Sequence, residues 1–341
     1  MILDGNNPKS IAHCVILIRE KGIIGLPTET VYGLAADADS AQAVARIFAA
    51  KGRPADHPLI VHVADASGVA HFADHVPEFA TRLIAAFWPG PLTLILPRRE
   101  GVAQAAAGGQ NSIGLRCPSH PVAQRLLVEL RVGEPPIWGL AAPSANQFGR
   151  VSPTTAVHVQ SEFGAELLIL DGGPCDVGIE STIVDCTRGV PVLLRPGAIT
   201  PAQLQAACRQ KIFLKDELPE HMEKGPRASG TLEAHYAPKA RLRLMEARAL
   251  QAALDMLGGD MDAKGGCQPV IATYSRIILR SASSKVLRRR MPDDATATAQ
   301  QLFAVLREFD DLGVKLIWVE TPPDAPEWQG VADRLTRAAA S

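Results

Sequence analysis

The stretch AQAVARIFAAKGRPADHPLIVHV (41–63) joins a predicted helix to a predicted strand across a stiff, basic corner. Apolar residues recur at helical spacing in its first half, after Ser40, whose hydroxyl can cap a helix N-terminus. The corner carries Lys51 and Arg53, and Pro54 restricts the backbone of Arg53 and so the direction of its guanidinium. Rigid cations suit phosphates, although a basic helix C-terminus that favours the helix dipole explains the same residues. The apolar second half indicates a buried strand.

The same alternation of amphipathic helices with short apolar strands recurs along most of the chain. Runs such as LTLIL, LLILD and KLIWVE alternate with segments of helical period, one of which we expect to begin at Pro153. This alternation predicts an open, twisted α/β sheet that mixes parallel and antiparallel strands.

A polar segment divides this pattern into two parts. The segment KDELPEHMEKGPRASGTLEAHYAP (215–238) contains glycine and proline but no hydrophobic period, which is typical of a linker. A second, shorter α/β alternation follows it. We therefore predict a first domain over residues 1–211, a linker over 212–239 and a smaller, Rossmann-like α/β domain over 240–341.

Composition restricts the class of protein. The 341 residues, 47% hydrophobic and 21% charged, are enough to bury a real core, so disorder and a fibrous structure are excluded. The net charge of -1 argues against a protein whose main task is to coat nucleic acid. No segment resembles a signal peptide or a membrane span, and no CxxC pair occurs, so we expect a cytoplasmic protein without a zinc ribbon or a disulfide framework.

Polar side chains gather where predicted strands end. In GLPTETVYGLAAD (25–37), Pro27 halts the strand and leaves Thr28, Glu29 and Thr30 on a loop. Open α/β sheets usually place ligand groups on such loops, although a capped turn explains the same residues.

Two further strand ends carry groups of the same kind. The loop APSAN (142–146) offers a hydroxyl and a carboxamide, and Ser152 and Pro153 lead from it into a helix whose free amides can receive an anion. Arg116 lies in an otherwise apolar strand and needs a buried partner, either a protein carboxylate or a ligand carboxylate. Neither a P-loop nor a dinucleotide-binding fingerprint accompanies these loops.

A series of motifs carries a resemblance to a known family: PTETVYGL, KGRPADHPL, WPGPLT, SIGLRCPSHP, APSAN, GIESTIVD, LLRPG and HYAP. In this order they resemble the YrdC-type threonylcarbamoyl-AMP synthases, in the longer form with an extra C-terminal domain. The similarity covers roughly the first 200 residues and is weak after HYAP. The lysine-x-arginine and serine-x-asparagine signature of the family falls on four residues that the resemblance implies are catalytic: Lys51, Arg53, Ser144 and Asn146.

The resemblance implies an enzyme that combines L-threonine, bicarbonate and ATP, with Mg²⁺, into threonylcarbamoyl-AMP and pyrophosphate. Its product would pass to a transferase complex that modifies tRNA, with direct tRNA binding by this chain weak or absent. Threonine contacts are implied for Thr30, His62, Arg116, Ala142 and Ser181. ATP contacts are implied for Arg53, His57, Ser112, Ser144, Ser152, Arg195 and Tyr236. Many relatives have asparagine where this chain has His57, so this position gains a group that titrates near neutral pH.

The linker is expected to act as an active-site lid over residues 226–237, because a carbamate is labile in water and the site should close during turnover. Two alternatives to this function stay open. One is an adenylating enzyme related to the hydrogenase-maturation carbamoyltransferases, whose zinc-finger cysteines and acylphosphatase region are absent from this sequence. The other is an RNA-binding module, because compact relatives have a basic concave surface.

Overall fold

The computed structural model describes residues 1–219, 225–231, 235–257, 262 and 269–340, and these divide into two compact units. Unit 1 consists of Met1–Phe148 and Ser152–Thr231, and unit 2 of Gly149–Val151 and Leu232–Ser341. The division after Thr231 lies inside the segment predicted to be a linker. Each unit has its own sheet.

The sheet of unit 1 is mixed. Its described strands are β1 (Ile2–Asp4), β2 (Ile24–Leu26), β3 (Gly33–Asp37), β4 (Ile60–Val63), β5 (Leu92–Pro97), β6 (Ser112–Arg116), β7 (Gly139–Ala141), β8 (Leu168–Asp171), β9 (Thr182–Asp185) and β10 (Val192–Arg195). They lie in the order β1-β8-β2-β3-β7-β4-β6-β5-β9-β10. Parallel pairs such as β4 with β6 stand beside antiparallel pairs such as β5 with β6. The open, mixed α/β sheet predicted from the sequence is confirmed.

Unit 1 surrounds this sheet with helices. They are α1 (Pro8–Arg19), α2 (Ala41–Lys51), α3 (Val69–Phe72), α4 (Glu78–Phe87), α5 (Pro121–Val132), α6 (Ala156–Phe163) and α7 (Pro201–Cys208). Helix α2 begins where the sequence indicated, because Ser40 Oγ accepts a hydrogen bond from Ala43 N at 3.3 Å. It ends at Gly52, whose φ of 59° glycine adopts without strain. This glycine turns the chain between the two cations of the basic corner.

The described core of unit 1 includes two large clusters of buried side chains and a smaller one around Ile95 and Ile183. Helix α2 contributes Val44 and Ile47 to the largest cluster, whereas α1 and α5 contribute Ile18 and Leu126 to the second. Full burial of side chains of this size stabilises the fold by about 1.5–3 kcal/mol each. The packed helices therefore fix the positions at which the strands end.

The sequence predicted that helix α6 begins at Pro153, but the helix begins at Ala156. The residues before it are tied to neighbouring loops instead: Tyr32 N donates to Pro153 O at 2.9 Å, and Cys175 N to Thr154 O at 3.0 Å. Because these backbone pairs hold the chain, the helix starts only after the next possible cap.

Unit 2 is a smaller α/β domain, as predicted. Its described strands are β11 (Arg241–Met245), β12 (Ile271–Ser275), β13 (Val286–Arg290) and β14 (Leu316–Glu320). They lie in the order β11-β14-β12-β13, and all neighbouring pairs are parallel. The accompanying helices are α8 (Ala247–Leu257), α9 (Ala295–Asp311) and α10 (Gln329–Ala339). Across both units, no helix within the described ranges is long and apolar enough to cross a membrane.

Unit 2 also holds the short excursion Gly149–Val151. Ala237 N donates to Gly149 O at 2.8 Å, and Arg307 Nη2 donates to Val151 O. Contacts from two distant parts of the sequence thus fix these residues within unit 2.

Candidate active site

Arg116, the last residue of β6, is buried at the end of its strand, with 4% of its surface exposed. Its Nη1 donates to Thr30 Oγ1 at 2.7 Å, and its Nε donates to Gly90 O at 3.3 Å. Its Nη2 lies 2.7 Å from Glu29 Oε1. The buried cation therefore has a protein carboxylate beside it, one of the two kinds of partner that the sequence left open.

His62 lies on β4, in register with Arg116 on the adjacent parallel strand, so the two side chains project from the same face. Burial, and then the positive charge of Arg116, lower the pKa of His62 to about 3. The imidazole is therefore neutral near neutral pH, where it acts as a hydrogen-bonding group rather than as a cation.

The other two residues of the predicted threonine group lie at neighbouring strand ends. Ala142 follows β7, and its N donates to Ile60 O at 3.0 Å. Ser181 precedes β9, and its Oγ lies 2.7 Å from Thr93 Oγ1 on β5. All the residues predicted to contact threonine thus lie on, or directly next to, strands of unit 1 or on the loop after β2.

Lys51 ends α2 and is buried, with 2% of its surface exposed. Its Nζ donates to the carbonyl oxygens of Ser144 and Asn146. Burial, followed by repulsion from Arg53, holds the pKa of Lys51 well below its usual value. The lysine thereby ties the two halves of the family signature together, a contact that the sequence analysis did not anticipate.

Arg53 and His57, both predicted to contact ATP, lie around the ring of Phe148. The guanidinium of Arg53 is 5.7 Å from the ring centre, and the imidazole of His57 meets the ring edge-on at 5.4 Å. Arg53 Nη2 also donates to Pro58 O at 2.8 Å and to Ser229 Oγ at 3.4 Å. Burial, and then the charge of Arg53, lower the pKa of His57.

Arg195, at the end of β10, joins the predicted nucleotide group to the predicted threonine group. Its Nε and Nη2 donate to Ser181 O at 3.0 and 2.9 Å, and Nη2 also donates to Ser181 Oγ at 3.2 Å. Its Nη1 donates to Ser229 O at 2.9 Å. A single buried guanidinium therefore connects both groups of residues.

A narrow cleft opens among β4, β5 and β6. Its lining includes Ile60, Thr93, Ser112 and Ser229. Apolar walls with a few hydroxyl groups are typical of sites that hold small molecules. Ser112, predicted to contact ATP, is thus part of the cleft wall.

The linker segment, residues 225–231, lines the same cleft. Arg227 N donates to Gln110 Oε1 at 2.8 Å, and Gln110 Nε2 donates to Arg227 O at 3.3 Å. At the surface, Arg227 Nη1 pairs with Asp56 Oδ2 at 2.6 Å. Together with the contacts of Ser229, these bonds hold the linker segment against residues predicted to bind ATP.

The last two residues of the predicted ATP group have other neighbours. Ser152 Oγ donates to the buried carboxylate of Glu180. Tyr236 belongs to unit 2, where its ring stacks on Phe303 with centroids 5.5 Å apart and meets His235 edge-on at 4.2 Å. Residues 232–234 of the expected lid lie outside the described residues.

Sequence reasoning did not assign Phe148, Glu180 or Ser229 to the site, and it placed Glu29 on a candidate ligand loop without giving it a partner. Glu29 and Glu180 lie in the motifs PTETVYGL and GIESTIVD, and an acidic residue next to a buried strand is a signal that could have identified them. Phe148 and Ser229 carry no such signal, because their contacts arise only when distant segments fold together.

The fold and the site define a two-domain α/β protein with cationic and hydroxyl side chains at the strand ends of a mixed sheet. Residues 16–197 match the Sua5/YciO/YrdC family, described as "Telomere recombination", and residues 199–340 match the family described as "Threonylcarbamoyl-AMP synthase, C-terminal domain". The chain belongs to the threonylcarbamoyl-AMP synthase family, in its two-domain form.

Individual relatives are similar over nearly the whole chain. The threonylcarbamoyl-AMP synthase of Bacillus subtilis is 38% identical, with 99% of this chain and 94% of that protein covered. The threonylcarbamoyl-AMP synthase of Pyrococcus abyssi is 36% identical, with 94% of this chain and 91% of that protein covered. The crystal structure of P. abyssi Sua5 complexed with L-threonine is similar with a TM-score of 0.85 and 33% identity, over 99% of this chain and 97% of that one.

Proposed function

We propose that this chain is an L-threonylcarbamoyladenylate synthase, which forms threonylcarbamoyl-AMP and pyrophosphate from L-threonine, bicarbonate and ATP. The observation that carries this proposal is the position of Arg195, which contacts Ser181 of the predicted threonine group and Ser229, which lines the same cleft as Ser112. One site can therefore bring the amino acid and the nucleotide together.

The reaction needs positive charge, because a threonine carbamate must attack the α-phosphorus of ATP. Two unit charges about 5 Å apart repel by roughly 3 kcal/mol at an effective dielectric near 20. Uncompensated repulsion of this size slows a reaction by about two powers of ten. Arg53 and Arg195, both buried and fixed by hydrogen bonds, are the groups that we assign to this compensation.

We assign a different part to Lys51. Its ammonium is bound to the carbonyl oxygens of Ser144 and Asn146, so it shapes the APSAN loop on which the signature serine and asparagine stand. Through this loop the lysine places Ser144 for its contact with ATP.

Mg²⁺ is expected to arrive on the phosphates of ATP. Among the described residues, no group of three or more histidine, cysteine or acidic side chains is placed to hold a metal ion. The carboxylate of Glu180 and the hydroxyl of Ser152 are nevertheless oxygen groups of the kind that Mg²⁺ prefers, and Mg²⁺ commonly binds through one or two carboxylates and substrate phosphates. When bound, the ion would neutralise phosphate charge.

The linker is proposed to close the site during turnover. In support, Ser229 O accepts a hydrogen bond from Arg195, and Ser229 Oγ accepts one from Arg53. Both arginines belong to the predicted ATP group. Nucleotide binding would exchange these bonds for bonds to phosphate, and the lid would shield the labile carbamate from water. Deletion of residues 226–237 is expected to lower the yield of adenylate per pyrophosphate released, and an unchanged yield would exclude a lid.

The product is proposed to pass to a tRNA threonylcarbamoyl transferase complex in the cytoplasm. The net charge of -1 favours weak or absent direct binding of tRNA. A filter-binding assay that gave tight, salt-sensitive affinity for tRNA would contradict this part of the proposal.

The central experiment follows pyrophosphate release from ATP by the purified chain while threonine or bicarbonate is omitted in turn. We expect release to require both, and chromatography to show threonylcarbamoyl-AMP as the second product. Release that ignored both omissions would reject the proposed reaction.

A further inference from the structure

Buried polar atoms without a hydrogen bond lie close together at the predicted threonine end of the site. Four buried polar atoms there lack a hydrogen-bond partner within the described part of the chain: Glu29 Oε1, Glu29 Oε2, Arg116 Nη2 and His62 Nδ1. The three residues are 3–5% exposed. Folded proteins satisfy nearly all buried polar groups, so a cluster of unsatisfied ones at a strand end points to a bound molecule.

These atoms belong to one neighbourhood. Glu29 directly precedes Thr30, whose hydroxyl accepts from Arg116, and His62 stands beside Arg116 in register. Val177 N donates to Glu29 O at 2.8 Å, which fixes the backbone that carries the carboxylate.

The pair of Glu29 and Arg116 is close but incompletely bonded. The charged atoms approach to 2.7 Å, yet neither makes a hydrogen bond of normal geometry with the other. Both carboxylate oxygens therefore keep their capacity to accept, and Arg116 Nη2 keeps its capacity to donate. A second molecule can satisfy both side chains without breaking their attraction.

The charges of this pair match an amino acid. A free α-amino acid at neutral pH carries a carboxylate, which suits the fork of a guanidinium, and an ammonium group, which suits a carboxylate. His62 is neutral and adds no competing charge. Glu29 consequently supplies the negative charge beside Arg116.

We infer that Glu29 binds the α-ammonium group of the substrate while Arg116 binds its carboxylate. This assignment rests on the proposed function and adds a residue to it. It also makes the site selective for ligands with an amine. A molecule with the carboxylate, hydroxyl and methyl groups of threonine but no amine loses the contact with Glu29.

Calorimetric titration of the full chain with L-threonine in the absence of ATP tests the assignment. We expect Glu29→Gln, which keeps the shape but removes the charge, to weaken threonine binding by about tenfold or more. Glu129→Gln, at an exposed position on α5, is the matched control and should leave the affinity unchanged. An affinity of Glu29→Gln within about twofold of the wild type would overturn the assignment.

A second measurement does not depend on the folding of a variant. The wild-type chain is titrated with 3-hydroxybutanoate, which is threonine without its amine, and we expect affinity lower by about tenfold or more. Equal affinity for the two ligands would also overturn the assignment. A wild-type chain that bound no threonine at all would instead reject the proposed function, and the role of Glu29 with it.

Discussion

The two ends of the site differ in what holds their cations. Arg116, at the predicted threonine end, donates hydrogen bonds to Thr30 and Gly90 and forms an ion pair with Glu29, and all three partners lie on loops next to the sheet. Arg53 and Arg195, at the predicted nucleotide end, both contact Ser229 of the linker segment. The partners of Arg116 all belong to loops next to the sheet, whereas Arg53 and Arg195 share a partner from the linker segment.

This difference indicates two modes of binding. An amino acid can enter the threonine end without displacing any hydrogen bond of Arg116. We expect a nucleotide to replace Ser229 at both cations, and each replaced hydrogen bond is worth only about 0.5–1.5 kcal/mol net. We expect the threonine end to be preorganised and the nucleotide end to be exchangeable.

The largest effect expected is that of Arg195→Met, which would break the comparison if it disturbed both ends alike. We expect kcat/KM for ATP to fall by roughly a hundredfold, because about 3 kcal/mol of charge compensation is lost. The exposed Arg209→Met serves as a control for the loss of a charge. A similar fall in threonine affinity, measured without ATP, would mean that the bonds from Arg195 to Ser181 couple the two ends.

The pKa of His62 provides a test of the threonine end, because it makes stability depend on pH. Its pKa is about 3 in the fold and 6.5 when unperturbed, so below about pH 6.5 the unfolded chain binds a proton that the folded chain does not. Stability should therefore be lost on acidification, by about 2 kcal/mol for this residue between pH 7 and pH 5. Chemical unfolding of wild type and His62→Gln at both pH values isolates the difference. Equal losses in both chains would show that His62 is not held neutral.

Lys51→Ala and Arg53→Ala are expected to have a smaller effect on catalysis, a fall of about tenfold or more in adenylate synthesis without unfolding. The two variants should change different kinetic parameters. Arg53→Ala should raise KM for ATP, whereas Lys51→Ala should lower kcat because the loop with Ser144 shifts. Arg46→Ala, exposed on the same helix as Lys51, is the control, and a wild-type rate from either variant would remove that residue from the site.

The smallest effect expected is that of Arg227→Ala, which removes the ion pair between the linker segment and Asp56. Both side chains are more than half exposed, at 53% and 61%, and such pairs contribute little. We expect KM for ATP to change by less than about twofold. A change as large as that of Arg53→Ala would show that the surface pair, rather than Ser229, holds the linker in place.

Much of the fold was predictable because its signals are local. Ser40 caps the start of α2 as the sequence indicated, since a side-chain cap acts within one turn of the helix. The start of α6 was not predictable in this way. Pro153 favours a helix start locally, but its carbonyl is engaged by Tyr32 N from far away in the sequence.

The site was predictable in its residue types more than in its contacts. The sequence indicated that a buried Arg116 needs a carboxylate, but the choice of Glu29 depends on the path of the loop after Pro27. Likewise, the basic corner was visible at once, yet Lys51 faces two carbonyl groups because the APSAN loop packs over the end of α2. Ser229 lies 176 residues from Arg53 in the sequence, and no local sequence pattern predicts a contact between them.

The excursion Gly149–Val151 has a consequence for how this chain can be divided. A single cut after Thr231 would leave these residues attached to the N-terminal fragment, while Ala237 and Arg307, which bond them, would be on the other fragment. On the N-terminal fragment, these three residues would directly follow Phe148, whose ring contacts both Arg53 and His57. Gene truncation or fusion at the linker therefore does not yield two self-sufficient modules, and the pieces should work best when supplied together.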